Sequence, residues 1–308
     1  MQWSLVGSEM CIRDRIDQSA AKSTEELADR LYVPHWWIEE VVGLIEEHRA
    51  VVFHGPPGTG KTYIAKEIAR YLQPRRALSK VVQLHPSYGY EEFFEGYRPR
   101  GTEELTLEKV PGPLRRLVFD MKDERGVLIL DEMNRANLPK VFGELYFLLE
   151  YRNEAVELMY SETETFTLPE DLIFLGTMNT ADRSVALVDA ALRRRFKFVE
   201  LHPELPPLAP DLEGHLGVLR EYLRENELEA MTWVPDVVDL ANTKLNDRDA
   251  SIGPSYFMRL DLDEGVVAQT WKYSILPTLS DRLRGTSVAL EDFGPVSYTH
   301  LRAHETPV

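Results

Sequence analysis

The chain has 308 residues, 35 basic against 51 acidic side chains, and a formal net charge of −16. That length suits one large or two modest domains, and no apolar run is long enough to span a bilayer. So acidic a chain is not built to grip nucleic acid over a broad surface, although a local basic ring or groove remains compatible with it.

The two ends belong together. Met10-Cys11-Ile12, read as codons on the opposite strand, gives Tyr298-Thr299-His300, and the match extends over Ser4 to Asp14 against Val296 to Thr306. Protein structure supplies no reason for such a relation, which resembles translated adapter sequence from a sequencing library. Residues 1–15 and 296–308 are therefore expected to be non-native. A signal peptide fits the start poorly, because the apolar stretch is short and Glu9 interrupts it. The single cysteine, Cys11, falls in the first of these ends, so neither a disulfide nor a cysteine-based zinc site is expected. That suits a cytoplasmic protein.

Within the remaining segment, Ser23-Thr24-Glu25-Glu26 has capping-box spacing and predicts a helix to about Leu31. Pro34 ends it, and His35 to His48 reads as an amphipathic helix with Trp37, Val41, Leu44 and Ile45 on one face. Ala50 to His54 is a short apolar strand, followed by a Gly-rich turn and a helix from Lys61 to Leu72. Further strands are predicted at Lys80–Leu84, Gly126–Leu130, Leu172–Met178 and Lys197–Leu201, and Tyr151 to Thr167 alternates as a β-hairpin should. Strands alternating with helices imply a parallel sheet covered on both faces. The Pro-rich stretch His202 to Pro210 marks a boundary, and Leu212 to Trp271 reads as mostly helical. The expected domains are 16–202 and 203–295.

Gly55-Pro56-Pro57-Gly58-Thr59-Gly60-Lys61-Thr62 fits G-x-x-x-x-G-K-[ST] between a predicted strand and a predicted helix. Glycines let successive backbone N–H groups curl round phosphate oxygens, and the helix N-terminus adds partial positive charge. Lys61 is expected at the β- and γ-phosphates and Thr62 on Mg²⁺. Val127 to Asp131-Glu132 is an apolar strand that delivers two carboxylates to the sheet edge where ligands bind in open α/β folds. Asp131 is expected to hold Mg²⁺ through its water shell, and Glu132 to polarise the attacking water.

The strand Leu172 to Thr177 runs into Met178-Asn179-Thr180-Ala181-Asp182-Arg183-Ser184. A turn alone would explain Asn and Asp there. At this sheet edge, however, the Asn179 amide can hydrogen-bond the attacking water or the γ-phosphate without adding charge. Arg193, Arg194 and Arg195 follow, and phosphoryl transfer needs positive charge on the γ-phosphate.

The order of P-loop, Asp-Glu strand, strand-end Asn and arginine run resembles an AAA+ nucleoside triphosphatase. Longer runs narrow the resemblance to the McrB-type family, the GTPase motor of modification-dependent restriction systems. They are LHPSYGYEEFFEGYRPR (84–100), DEMNRANLPKVFGEL (131–145), GTMNTADRSVALVDAALRRRF (176–196) and IGPSYFM (252–258). The resemblance implies an α/β P-loop fold of AAA+ type, a parallel sheet flanked by helices with a small helical lid after it. It also implies a ring, usually hexameric, with active sites between subunits. Arg195 becomes the finger acting in trans, with Arg194 assisting. The implied partner is a nuclease subunit of McrC type, and DNA is met through that partner or a separate N-terminal domain without counterpart here.

Alternatives stay open. A remodeller of protein complexes from the MoxR or dynein-related branch shares the core motifs. A non-hydrolysing nucleotide switch would not need Glu132, and a small-molecule P-loop kinase lacks an acceptor site. The phosphate-facing motifs leave both ATP and GTP as substrates; Asp182 is expected to steady a turn or interface rather than read guanine. Arg248 and Arg259 are the candidates for a lid arginine on the γ-phosphate, a role left unassigned. The aromatics Tyr88, Tyr90, Phe93, Phe94 and Tyr97 are expected to pack beneath a loop rather than form a pore or partner surface. Trp36 and Trp37 are expected in the core, and His54 and His85 to be structural, with no metal-ligand spacing.

Overall fold

The computed structural model describes residues 20–100, 106–181, 190–204, 216–283 and 290–293. Both chain ends, residues 205–215 (the later part of the Pro-rich stretch and the residues that follow it), and Asp182, Arg183 and Ser184 lie outside these.

Helix α1 spans Thr24–Leu31, with Ser23 Oγ accepting from Glu26 N at 3.1 Å. The predicted reciprocal bond is displaced by one residue, since Glu26 Oε2 accepts from Lys22 N at 2.9 Å. Helix α2 is His35–His48; it buries Trp37, Ile38, Val41 and Ile45, with Leu44 partly buried against the same core. Strand β1 (Ala50–Gly55) leads through the P-loop into α3 (Lys61–Leu72), and β2 is Ser79–Gln83. Then come α4 (Tyr90–Phe93), the hairpin β3 (Glu95–Arg100) and β4 (Thr106–Pro111), α5 (Pro113–Met121) and β5 (Gly126–Asp131). Helices α6 (Leu138–Phe142) and α7 (Leu145–Leu148) precede the hairpin β6 (Val156–Leu158) and β7 (Ser161–Phe166). The core ends with β8 (Leu172–Asn179), α8 (Ala190–Arg195) and β9 (Lys197–Glu200).

Five strands form one parallel sheet in the order β2-β5-β8-β1-β9. Side chains alternate across a strand, which explains the continuous apolar runs. Val51, Phe53, Val127, Ile129, Ile173 and Leu175 face α1, α2 and α3. Val52, Leu128, Leu130 and Phe174 face the opposite way, toward α5, α6 and α7. The expected packing of the aromatic segment is realised there: Tyr90, Phe93 and Phe94 are buried, and only Tyr97 of the group is exposed. The tryptophan pair divides, Trp37 inward and Trp36 outward.

The β3–β4 hairpin was not legible in the sequence. Its strands contain Gly96, Pro99 and Pro111 and few apolar residues, so the alternation that announces a strand is missing. Ion pairs support it instead. Glu95 is fully buried against Arg115 and lies 3.6 Å from Lys109, and Arg100 meets Glu108 across the strands at 3.0 Å.

At the opposite end of the sheet from the P-loop, Arg152 ties the chain together. Its guanidinium donates to the carbonyls of Leu172, Pro169, Glu170 and Arg49 at 2.6 to 3.4 Å. Burial, with Arg49 nearby, pushes it down to about 10. Arg152→Leu removes these bonds from a largely buried guanidinium, while the Arg49 and Pro169 carbonyls keep the N–H groups of Phe174 and Leu172 at 2.8 and 3.2 Å, and should lower stability by about 1–3 kcal/mol, measured by urea denaturation.

The lid comprises α9 (Gly217–Glu225), α10 (Val234–Leu245), α11 (Glu264–Thr270) and α12 (Leu276–Leu283) around its own apolar core. Helical backbone continues past the expected end at Trp271 through a π-helical turn, Trp271–Ile275. Between α10 and α11 the chain makes only short turns, Arg248–Ala250 and Pro254–Tyr256. Among the described residues no helix is long and apolar enough to cross a membrane.

Candidate active site

Parallel strands bring their carboxyl ends to one edge. Register places Gly55 beside Asn179 and Gln83 beside Asp131. In the P-loop, Gly58 and Gly60 both have φ of +80°, a left-handed conformation that favours glycine. Lys61 folds back over the loop and donates from Nζ to the Pro56 carbonyl at 2.7 Å, and Thr59 Oγ1 donates to the same oxygen at 3.0 Å. Lys61 is only 7% exposed. A buried ammonium held by a neutral carbonyl gains by exchanging it for phosphate oxygens.

Asp131 Oδ1 accepts from Thr62 Oγ1 and from Thr177 Oγ1, each at 2.7 Å. This is an all-oxygen set of one carboxylate and hydroxyls, and it fits Mg²⁺, which takes few protein ligands and completes its shell with water and phosphate. Among the described residues no cluster of three His, Cys, Asp or Glu could hold a metal by itself.

Glu132 has φ of +56°, a left-handed conformation that costs about 1–3 kcal/mol for a residue with a side chain. Thr177 secures it: its Oγ1 accepts from Glu132 N at 3.1 Å while donating to Asp131. Asn179 Nδ2 donates to Glu132 Oε1 at 2.7 Å, and Arg135 Nε lies 3.3 Å from Glu132 Oε2. Asn134 Nδ2 in turn donates to the Asn179 carbonyl at 2.9 Å. The two carboxylates and the strand-end amide therefore form one connected group. Thr177 and Asn134 went unnoticed in the sequence. Thr177 carried a usable signal, since it sits two residues before Asn179 and so faces the same way.

The arginine run ends α8. Arg195 lies 3.1 Å from Glu150 Oε2, with its guanidinium 4.6 Å from the Tyr146 ring centre. Arg194 lies 3.6 Å from Glu150 Oε1. Their side chains differ sharply in exposure, 15% for Arg195 and 77% for Arg194. Arg193 stacks over Phe198. Glu150, which seats both arginines, had no sequence signature.

The lid closes over the P-loop. Ser255 N donates to Gly58 O at 2.9 Å. Arg248 pairs with Glu200 at 2.8 and 3.1 Å, and Arg259 pairs with Asp261 through two bonds of 2.6 Å. Both lid-arginine candidates are thus engaged with carboxylates. His202 Nε2 meets Ser251 Oγ at 3.1 Å across the same boundary. Burial lowers the pKa of His54 and of His202, favouring neutral rings. His85 sits edge-on to Tyr88. Both His54 and His85 fit structural roles.

Residues 50–196 match the AAA domain of the dynein-related subfamily, and residues 235–288 match the α-helical lid domain of McrB. The chain is 40% identical over 187 residues to the type IV methyl-directed restriction enzyme EcoKMcrB subunit of Escherichia coli (strain K12). That alignment covers 58% of this chain and 41% of the other, so the chain spans less than half of that relative. The type II restriction enzyme BsuMI component YdiS of Bacillus subtilis (strain 168) is 27% identical over 257 residues, covering 68% of this chain and 73% of that one.

Proposed function

We propose, for a chain that belongs to the McrB-type AAA+ nucleoside triphosphatases, Mg²⁺-dependent hydrolysis of ATP or GTP at the subunit interfaces of a cytoplasmic ring. The ring, six-membered by resemblance, drives a DNA-cleaving partner of McrC type. DNA is met through that partner or a separate domain. The observation that carries this reading is the pair of 2.7 Å hydrogen bonds, Thr62 to Asp131 and Asn179 to Glu132, beside the P-loop.

The chemistry follows from these positions. Gly55, Pro56, Pro57, Gly58, Thr59 and Gly60 supply the loop backbone that cradles phosphate, and Lys61 supplies charge at the β- and γ-oxygens. Thr62 and Asp131 would hold Mg²⁺, which would supply positive charge to offset that of the phosphates. Glu132 orients a water and takes its proton as the water oxygen bonds to the γ-phosphorus and the nucleoside diphosphate leaves. Asn179 fixes the carboxylate for this task. Arg195, with Arg194 beside it, reaches the γ-phosphate of a neighbouring subunit.

Phosphate release from the purified chain, with Mg²⁺ and with ATP and GTP in parallel, tests this directly. Preference for GTP supports the restriction role; preference for ATP moves the reading toward a remodeller of protein complexes. A folded protein that binds and hydrolyses neither nucleotide would sink it. Lys61→Ala should weaken nucleotide binding by roughly 10- to 100-fold, the loss of a charge-assisted hydrogen bond, as read by fluorescent-nucleotide titration.

A further inference from the structure

The lid turn at Gly253–Tyr256 touches the P-loop backbone, and neither lid arginine is needed for that contact. Ser255 N donates to the Gly58 carbonyl at 2.9 Å. The approach is too close for side chains: a Cβ on Gly253 would lie 2.1 Å from the Gly58 carbonyl carbon and 2.6 Å from Thr59 N. A Cβ on Gly58 would lie 2.5 Å from the Tyr256 ring. The turn is itself clamped, since Asn242 accepts from Ile252 N at 2.7 Å and donates to Ile252 O at 3.1 Å.

A peptide group is planar and trans, so its C=O and N–H point in opposite directions. Holding the Gly58 carbonyl toward the lid turns the Thr59 N–H away from the lid, on the other edge of the same plane. In a P-loop such N–H groups are what cradle phosphate. We propose that the Gly253–Tyr256 turn is a positioning element of the triphosphate site: Ser255 sets the Gly58–Thr59 peptide plane, and the Tyr256 ring buttresses Gly58. The lid's contribution to nucleotide affinity therefore comes through backbone and an aromatic ring, not through an arginine. This inference rests on the P-loop being a nucleotide site. It adds that lid position and phosphate binding are one equilibrium: displacing the turn frees a phosphate-binding plane to rotate.

The test uses the full chain and titrates N-methylanthraniloyl-GTP and N-methylanthraniloyl-ATP against wild type, Gly253→Ala, Tyr256→Ala, Arg259→Ala and Lys61→Ala. Gly253→Ala should raise Kd about tenfold, the equivalent of one lost hydrogen bond, by forcing the turn off Gly58. Tyr256→Ala, which removes a partly buried ring at the edge of the lid core, should raise Kd in the same direction. In both, KM for hydrolysis rises while kcat at saturation is kept, and a cooperative melting transition without nucleotide, at a somewhat lower temperature than wild type, shows that the fold is kept. Arg259→Ala should bind as wild type does. Wild-type Kd in Gly253→Ala and Tyr256→Ala would overturn the proposal and leave the P-loop reading standing, as would a loss in Arg259→Ala equal to theirs. Undiminished binding by Lys61→Ala would overturn the P-loop reading and this inference with it.

Discussion

Glu132→Gln should lower kcat by roughly 10²- to 10⁴-fold, the usual contribution of a positioned general base, and leave nucleotide affinity unchanged. The substitution is nearly isosteric. A glutamine Oε1 still accepts from Asn179 Nδ2, a bond of 2.7 Å in this structure, so the local packing survives. What disappears is the negative charge that polarises water and the basicity that takes its proton. The Thr177 bond to the Glu132 backbone, 3.1 Å long, keeps the left-handed geometry at position 132 in either case. Single-turnover phosphate release together with fluorescent-nucleotide titration separates the two effects. Turnover at the wild-type rate would show that another group activates the water.

Arg195→Ala should lower kcat by roughly 10³- to 10⁵-fold, the range for an arginine acting on the γ-phosphate. Arg194→Ala should cost less. A second experiment isolates action in trans. Arg195→Ala subunits keep Glu132, and Glu132→Gln subunits keep the arginine, so mixing the two inactive proteins should restore part of the activity. Failure to complement in a mixture that co-assembles would remove Arg195 from the finger role. The structure sharpens the choice of residue. Arg195 is the more enclosed side chain, seated on Tyr146 and Glu150, whereas Arg194 stands out from the surface. Preorganisation favours the seated residue: a guanidinium already fixed loses less side-chain freedom in reaching its target. A larger loss from Arg194→Ala than from Arg195→Ala would reverse the assignment.

Much of this was fixed by the residues in order. The P-loop, the two carboxylates, Asn179 and the arginines are local patterns, and each follows or precedes a run apolar enough to be a buried strand. Carboxyl ends of parallel strands share an edge, so the P-loop, the carboxylates and Asn179 could be assembled in one place from the sequence, whereas the arginines precede β9, whose Lys197 pairs beside Val51 near the start of β1, and lie toward the other edge. The same logic gave the hairpin at β6–β7 and the helical lid. It failed for β3–β4, where ion pairs such as Arg100–Glu108 replace apolar alternation, and for the reach of helical backbone beyond Trp271.

Only tertiary structure decided how the motifs are held. Thr177 binds both Asp131 and the Glu132 backbone, Asn134 binds the Asn179 carbonyl, and Glu150 seats Arg194 and Arg195. Each is a contact between different segments, and nothing in the spacing of either segment encodes the other. The lid shows this most clearly. The sequence pointed to Arg248 and Arg259 because charge is visible in a string of letters. The fold engages both with carboxylates and brings Gly253, Ser255 and Tyr256 onto Gly58 instead. A backbone hydrogen bond and the closeness allowed by two glycines leave no compositional trace, so the sequence determined which chemical groups the site has, and packing determined which of them touch.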